Sequence, residues 1–496
     1  MSVEALTVPA FQGLDLRGRG GIRSERKSLD TPRELVNLHV DDNGHLYFPK
    51  AVNESVWDFG SEVWIRTMHY LDRPRGLIVQ LNTGDIYRIP ISRGSPEFIE
   101  PITVQPLASM PSGETHWNLW VNSCGSYGVM GYMPRSTAGP ATDGKTWQIE
   151  GGAEDPDPPT VTDLGDSVPK ASYSMLHKGR RFTVGRGRTV QFSEMNQYLT
   201  FDEDSTFRVS GDDAGTGIRD NPGFVHGMTS FEDALTIFLS NSVWLLTGSS
   251  PDNFRLRQVQ TTIGNARSWT LDRTEAGIFT FSGRWTPDRG IYLFTGNTAQ
   301  KVSTPVDELF RNNTPNTATF SAGRYVVCMN ESDVDDTQLI IFDIEARRWN
   351  TMDGFRRGEV EPMGDGYVVS DQGKLYRLRE QDSLIPRAPG RPGKVTLGFH
   401  DDENPTGLQR FLGIKLSGWA EGSVSVTLTV TLPDGSYATG QHTLPEGVFD
   451  GYVLPVNLRG PSAEVSLELN GADDAHALIE NLQLIHSRKG EKVSRG

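Results

Sequence analysis

Residues 235–248 read LTIFLSNSVWLLTG: a short apolar run, a polar turn, then a second apolar run. Five more stretches repeat the phrase with Gly, Asn or Asp at the turn. They are 77–90 (LIVQLNTGDIYRIP), 180–194 (RRFTVGRGRTVQFSE), 291–303 (IYLFTGNTAQKVS), 339–353 (LIIFDIEARRWNTMD) and 366–378 (GYVVSDQGKLYRL). Short apolar runs joined by turn residues are β-hairpins. From Arg180 to Leu339 successive copies begin about 50 residues apart, the spacing of propeller blades. The interval from Leu77 to Arg180 is about twice as long and leaves room for one poorly marked copy. The last copy follows early, as a segment that closes a ring would. The expected fold is all-β: a β-propeller of kelch-like blades over residues 51–380, its blade number left open.

Three segments fall outside that repeat. Residues 1–50 read as an irregular arm whose basic cluster, Arg17, Arg19, Arg23, Arg26 and Lys27, is first a solvated run and, as the alternative, a grip on a neighbouring acidic subunit. The arm ends in a first hairpin, His39–Pro49, whose Asn43-Gly44 pair predicts a type I′ turn. Residues 151–169 (GGAEDPDPPTVTDLGDSVP) are poor in apolar side chains and read as an exposed connector. Residues 380–394, with Pro386, Pro389 and Pro392, read as a second linker. Beyond it the phrase disappears. Runs at 395–399, 413–416, 424–431, 452–458, 463–469 and 478–486 predict an antiparallel β-sandwich over 395–488, and 424–431 alternates apolar and polar at period two. One short helix is expected around Val306–Asn312, after Pro305.

The chain has 496 residues and a formal charge of −15. That sign disfavours a protein that wraps phosphates; it reads first as ordinary acidic solubility, and it also suits a wall that DNA slides past. The two cysteines, Cys124 and Cys328, are far apart and read as structural thiols of a reducing compartment. The N-terminus has no apolar core of a signal peptide, and no run approaches a membrane span. The aromatic residues between Val56 and Glu150, including Trp57, Trp64, Trp117, Trp120 and Trp147, suit the wedges between blades.

The search for chemistry is mostly negative. The sequence contains no HExxH, GxSxG, P-loop or GxGxxG opening a helix. The ten histidines are scattered, and one such as His226 reads as a hydrogen-bonded structural residue. Two acidic loops, Asp333/Asp335/Asp336 and Asp401/Asp402/Glu403, lack the glycine turn of a calcium loop. Thr142–Trp147 (TDGKTW) is an imperfect, single copy of the Asp-box of sialidases, lacking one residue between Asp143 and Gly144. No catalytic residue, metal ligand or cofactor is expected.

One ordered series carries a family resemblance. Arg181–Glu194, ending Phe192-Ser193-Glu194, is followed by Phe201-Asp202, then Ser242–Gly248 with Trp244-Leu245-Leu246-Thr247-Gly248. Pro251-Asp252-Asn253-Phe254 and Thr262-Ile263-Gly264-Asn265-Ala266 come next, then Gly290–Gly296. The series resembles the propeller of tail nozzle (tail hub, tail tubular B) proteins of short-tailed bacteriophages. Pro32-Arg33, Leu35–Leu38 and Asn43–Leu46 resemble their opening, although Phe48-Pro49-Lys50 stands where that family carries Arg-Pro-Gly. The resemblance spans about residues 30 to 380. It implies a virion tail protein assembled in the host cytoplasm. Six copies would form a homohexameric ring below portal and adaptor, in contact with tail fibres or tailspikes. Genomic DNA would be retained, then released through the lumen. Asp202, Glu203, Asp204, Asp212 and Asp213 are the expected lumen-facing acidic loops, and Arg17, Arg19, Arg23 and Arg26 the expected subunit-contact arm. The alternatives are a propeller that binds a receptor or glycan and, after it, a propeller glycosidase, which would need two carboxyls at a set separation.

Overall fold

The computed structural model describes residues 3–8, 11, 34–40, 43–52, 55–92, 97–99, 102, 104–110, 119–132, 144–151, 158–185, 187–209, 224–260, 262–265, 268–283, 288–311, 313–330, 336–363, 366–379, 386–400, 409–460 and 462–488. The described residues are almost entirely β, with one short α-helix, Asp307–Phe310, following a 3-10 turn at Thr304–Val306 whose first turn accommodates Pro305.

Seven four-strand antiparallel units follow one another, and their innermost strands neighbour each other in a closed circle. Blade 1 spans 65–109, blade 2 120–163, blade 3 173–208, blade 4 225–260, blade 5 272–301 and blade 6 317–356. Blade 7 takes three strands from 360–379 and its outermost from Ser55–Asp58, which pairs Asp58 with Lys374 and Trp57 with Leu375. The chain therefore closes its own ring with an N-terminal strand. Blade 2 is the copy that the long interval leaves room for. Its outermost strand is Thr160–Asp163, so the second half of the expected connector is part of a blade. There Leu164 N–H donates to Thr146 O at 2.9 Å, and Val168 is buried.

The sandwich is built from both ends of the chain. One sheet holds His39–Val40, Leu46–Phe48, His476–Arg488, Gln409–Glu421 and Gly447–Gly460, with Val3–Val8 also along His476–Arg488. The other holds Gly393–His400, Ser462–Gly471, Val424–Thr431 and Tyr437–Thr443. Residues of the expected arm and its hairpin thus supply sandwich strands. The hairpin pairs His39 with Tyr47 and Val40 with Leu46. Its connection is longer than a two-residue type I′ turn, and Gly44 rather than Asn43 takes positive φ (+79°).

Glu34–Val36 joins the two parts. It runs parallel to blade 6, Val36 opposite Thr351, and antiparallel to the sandwich, Leu35 opposite Val395. Blade 6 and one sandwich sheet become a single nine-stranded sheet. Asn37, at φ +54°, finishes the clasp: its Nδ2 donates to Asp353 and to Pro392 O (2.9 Å), and its Oδ1 accepts from Asp353 N–H (3.0 Å). Asn tolerates this left-handed conformation better than most residues. One apolar core runs through the junction, from Phe279, Tyr325 and Trp349 of blades 5 and 6 to Leu397, Val465 and Leu484 of the sandwich.

The expected linker 380–394 is anchored where it is described. Arg387 is fully buried, its backbone bridges Ala51, and its guanidinium reaches both the hairpin exit and a sandwich turn. Both cysteines are buried and free.

Candidate functional site

The innermost strands enclose a cavity of about 250 Å³ on the propeller axis, lined by residues of blades 1, 2, 3, 5, 6 and 7. Inner strands bring short polar side chains to the axis, and these bond sideways from blade to blade. His69 Nε2 lies 2.8 Å from Leu119 O, joining blade 1 to blade 2. Asn122 Nδ2 donates to Ser174 O (3.1 Å) and Ser174 Oγ to Asn122 Oδ1 (2.6 Å), joining blades 2 and 3. Tyr173 OH donates to Met228 O of blade 4 (2.8 Å).

Two carboxyls add the junctions of blade 5 with blade 6 and of blade 7 with blade 1. Asp272 of blade 5 accepts from Phe320 N–H (2.6 Å) and Thr319 Oγ1 (3.1 Å) of blade 6 and from Arg273 N–H (2.7 Å). Glu361 of blade 7 accepts from Tyr70 N–H of blade 1 at 2.7 Å, through Oε1 alone. Both keep some accessible surface, and both line the cavity; they lie deep, so burial governs their titration. Burial raises Asp272 to about 6, against the pull of its three hydrogen bonds. Burial raises Glu361 to about 8, and the Asp272 charge adds to the rise. Burial lowers His69 to about 4, so its imidazole is neutral. Of the two carboxyls Asp272 ionises the more readily, and Glu361 holds its proton to higher pH.

A stability prediction follows from Glu361. Its folded pKa lies above the unfolded one, so the native state holds the proton more tightly. Stability is lost as pH rises from about 4.5 through about 8. Glu361→Gln keeps an acceptor for Tyr70 N–H and cannot ionise. The variant and the parent are expected to melt alike near pH 5. Above pH 8 the variant should be the more stable by a few kcal/mol, since each tenfold difference in proton affinity between folded and unfolded chain is worth about 1.4 kcal/mol. Thermal unfolding across pH 5–9 checks this, and a constant difference would refute it.

The residues expected to act at a site lie elsewhere. Asp202, Glu203 and Asp204 are exposed, but on the outermost strand of blade 3 (Gln197–Arg208) rather than in a loop. Asp212, Asp213, Arg17, Arg19, Arg23, Arg26 and Lys27 lie outside the described residues, as do Asp333, Asp335, Asp401, Asp402, Glu403, Thr142 and Asp143. Asp336 opens a strand of blade 6. Among the described residues no three His, Cys, Asp or Glu side chains are grouped to hold a metal ion, and no helix is long and apolar enough to cross a membrane. His226 bonds Ser240 Oγ at 2.9 Å, in keeping with its structural reading.

The phrases of the ordered series have packing work. Ser193 is buried and its Oγ accepts from Arg181 N–H (2.9 Å), where the third strand of blade 3 shifts register against the fourth. Arg181 is fully buried between the rings of Phe201 (4.9 Å) and Trp120 (5.8 Å), tying blade 3 to blade 2. Trp244 packs with Phe182 and Phe192 between blades 3 and 4. Asn253 Oδ1 accepts from Ser249 and Ser250 N–H, both at 2.9 Å, behind Gly248 at φ +105°. Gly264 lies so close to the turn of blade 4 that a Cβ would collide with the backbone of Leu239 and Ser240. Its N–H and carbonyl bond Ser282 and Thr280 of blade 5.

Class follows from topology: the chain is a seven-bladed β-propeller fused to a β-sandwich. No family model matches it, and no curated protein does. Among solved structures it is similar to the WD40 domain of Neurospora crassa Pan2, at 10% identity and TM-score 0.39, covering 68% of this chain and 96% of that one. RRP9 WD40 repeats match at 10% identity and TM-score 0.40, over 66% of this chain and 98% of theirs. An exo-β-1,3-galactanase from Phanerochaete chrysosporium matches at 12% identity and TM-score 0.28, over 88% and 99%. These likenesses concern fold and carry nothing about activity.

Proposed function

We propose that this chain is a structural subunit of the tail of a short-tailed bacteriophage, a nozzle protein that acts in a ring and has no catalytic activity. The observation that carries the reading is the ordered series from Arg181 to Gly296. Its phrases recur here in the nozzle order: Trp244 and Gly264 pack one blade against the next, and Ser193 and Gly248 fix a bond and a turn within a blade. Two physical features agree with it. A charge of −15 per subunit lets DNA slide without sticking. The clasp at Glu34–Val36 makes propeller and sandwich continuous, which suits a ring segment that must keep its shape.

The ring would be a homohexamer in the virion, joined to adaptor or connector proteins above and to tail fibres or tailspikes, with genomic DNA passing unbound through the lumen. Apolar side chains exposed at the sandwich edge are available for such contacts: Tyr437 at 67%, Val448 at 89% and Val453 at 46%. Electron microscopy and native mass measurement of the purified protein, alone and with a cognate adaptor ring, are the test. A six-fold ring, alone or on the adaptor, is expected. A monomer under both conditions would sink the proposal.

A propeller glycosidase remains the alternative with a specific feature behind it, because Asp272 and Glu361 share one cavity. Release of reducing sugar that disappears in Asp272→Asn would overturn the structural reading.

A further inference from the structure

The axial cavity has a charge imbalance that its blade-to-blade bonding does not explain. Its lining includes Asp272, Glu361 and the neutral His69, and no lysine or arginine. Asp272 accepts three hydrogen bonds, whereas Oε2 of Glu361 accepts none among the described residues. Oε2 of Glu361 is not one of the fully buried unbonded atoms; it is open to the cavity, and a cation that enters gives its ionised form a donor.

The surroundings select the cation. A divalent metal wants six or more oxygen ligands or a cluster of His, Cys, Asp and Glu, and no such cluster is present among the described residues. An ammonium group asks for less: one or two carboxylates, a few neutral acceptors and aromatic surface. Thr67, Asn122 and Thr319 supply polar groups, and Tyr173 and Trp269 supply ring surface. At about 30 Å³ per water the space equals about eight waters, enough for a short alkylamine.

We propose that the axial cavity binds a small alkylammonium group, its nitrogen donating to Oε2 of Glu361 with Asp272 as the second negative group. The site is independent of the tail assignment. Binding ionises Glu361, so the complex gives up that proton to solvent, and affinity rises with pH until the carboxyl is ionised without help.

Calorimetric titration with 1,4-diaminobutane tests it, with N-acetyl-lysine amide as a second probe to separate a free amine from a lysine side chain; saturable binding of either supports the site. One site per chain is expected. At pH 8 Glu361→Gln should weaken binding about 10- to 100-fold, the loss of one charge-assisted hydrogen bond. In the unmutated protein at pH 7, titrations in two buffers of different ionisation enthalpy should show about one proton released per amine bound. This second measurement needs no variant to fold. Absence of saturable binding of both amines at pH 8, unchanged affinity in folded Glu361→Gln, or binding without proton release would each overturn the proposal.

Discussion

Replacing Arg387 by alanine is expected to destabilise the folded chain by about 3–5 kcal/mol, the scale of removing one partner from a buried charged network. The side chain is 0% exposed. Its guanidinium donates to Pro49 O (3.0 Å), Arg391 O (3.1 Å), Gly471 O (3.3 Å) and Ala472 O (2.7 Å), and it lies 4.6 Å from the ring centre of Phe48. One residue thus holds the hairpin exit, its own loop and a sandwich turn. The Asp473 carboxylate, half exposed at 3.9 Å, adds little. Alanine takes one donor from each of four carbonyls, of which Ala472 O keeps the Ala475 N–H (3.0 Å), and leaves a void beside Phe48. Lysine should recover only a small part, since a single ammonium cannot span carbonyls that a planar fork reaches together. Denaturant unfolding followed by circular dichroism measures both variants. A loss below about 1 kcal/mol for Arg387→Ala would mean that water replaces the guanidinium at no cost.

The same residue shows where a sequence stops being legible. Residues 386–392 look like a linker because Pro and Gly set local conformation, and nothing local says that Arg387 points inward. The repeat was legible for the opposite reason: an apolar hairpin is a local pattern. Yet a hairpin does not say which pair of strands it is. In blades 1, 3, 4 and 7 the quoted phrase is the second and third strand, while Ile291–Ser303 and Leu339–Asp353 cover the third and fourth of blades 5 and 6. That slip, not a truncated blade, makes the last copy seem early. Tyr437–Thr443 escaped the reading because, as a sandwich edge strand, it has no apolar face to alternate. Asp272 and Glu361 were invisible as a pair: each is a lone acid in a short strand, and only closure of the ring brings them to one cavity. A weak signal existed in Val360-Glu361-Pro362-Met363, a carboxyl inside an otherwise apolar strand.

Truncation from the N-terminus should have a graded effect that separates the jobs of the first 60 residues. Removing residues 1–8 deletes only the strand Val3–Val8 along the edge of His476–Arg488, and the protein should still unfold cooperatively. Removing residues 1–60 deletes three things at once. The clasp goes, with Leu35 and Leu38 from the junction core. The sandwich loses Leu46 and Phe48, which lie along Ala477–Ile479. Blade 7 loses its closing strand, and with it Trp57 and Phe59, the latter 5.4 Å from Tyr87. At about 1.5–3 kcal/mol for each buried apolar side chain, these losses together reach about 10 kcal/mol. A typical domain has only about 5–15 kcal/mol in all. The 61–496 fragment is therefore expected to lose its cooperative melting transition and to aggregate or bind hydrophobic dye. Supplying residues 1–60 as a separate peptide should restore part of the transition, because the ring is closed by strand pairing and not by chain connectivity. A 61–496 fragment that melts cooperatively within a few degrees of the full chain would show that six complete blades and a three-stranded seventh hold together unaided, and that ring closure by Ser55–Asp58 contributes little.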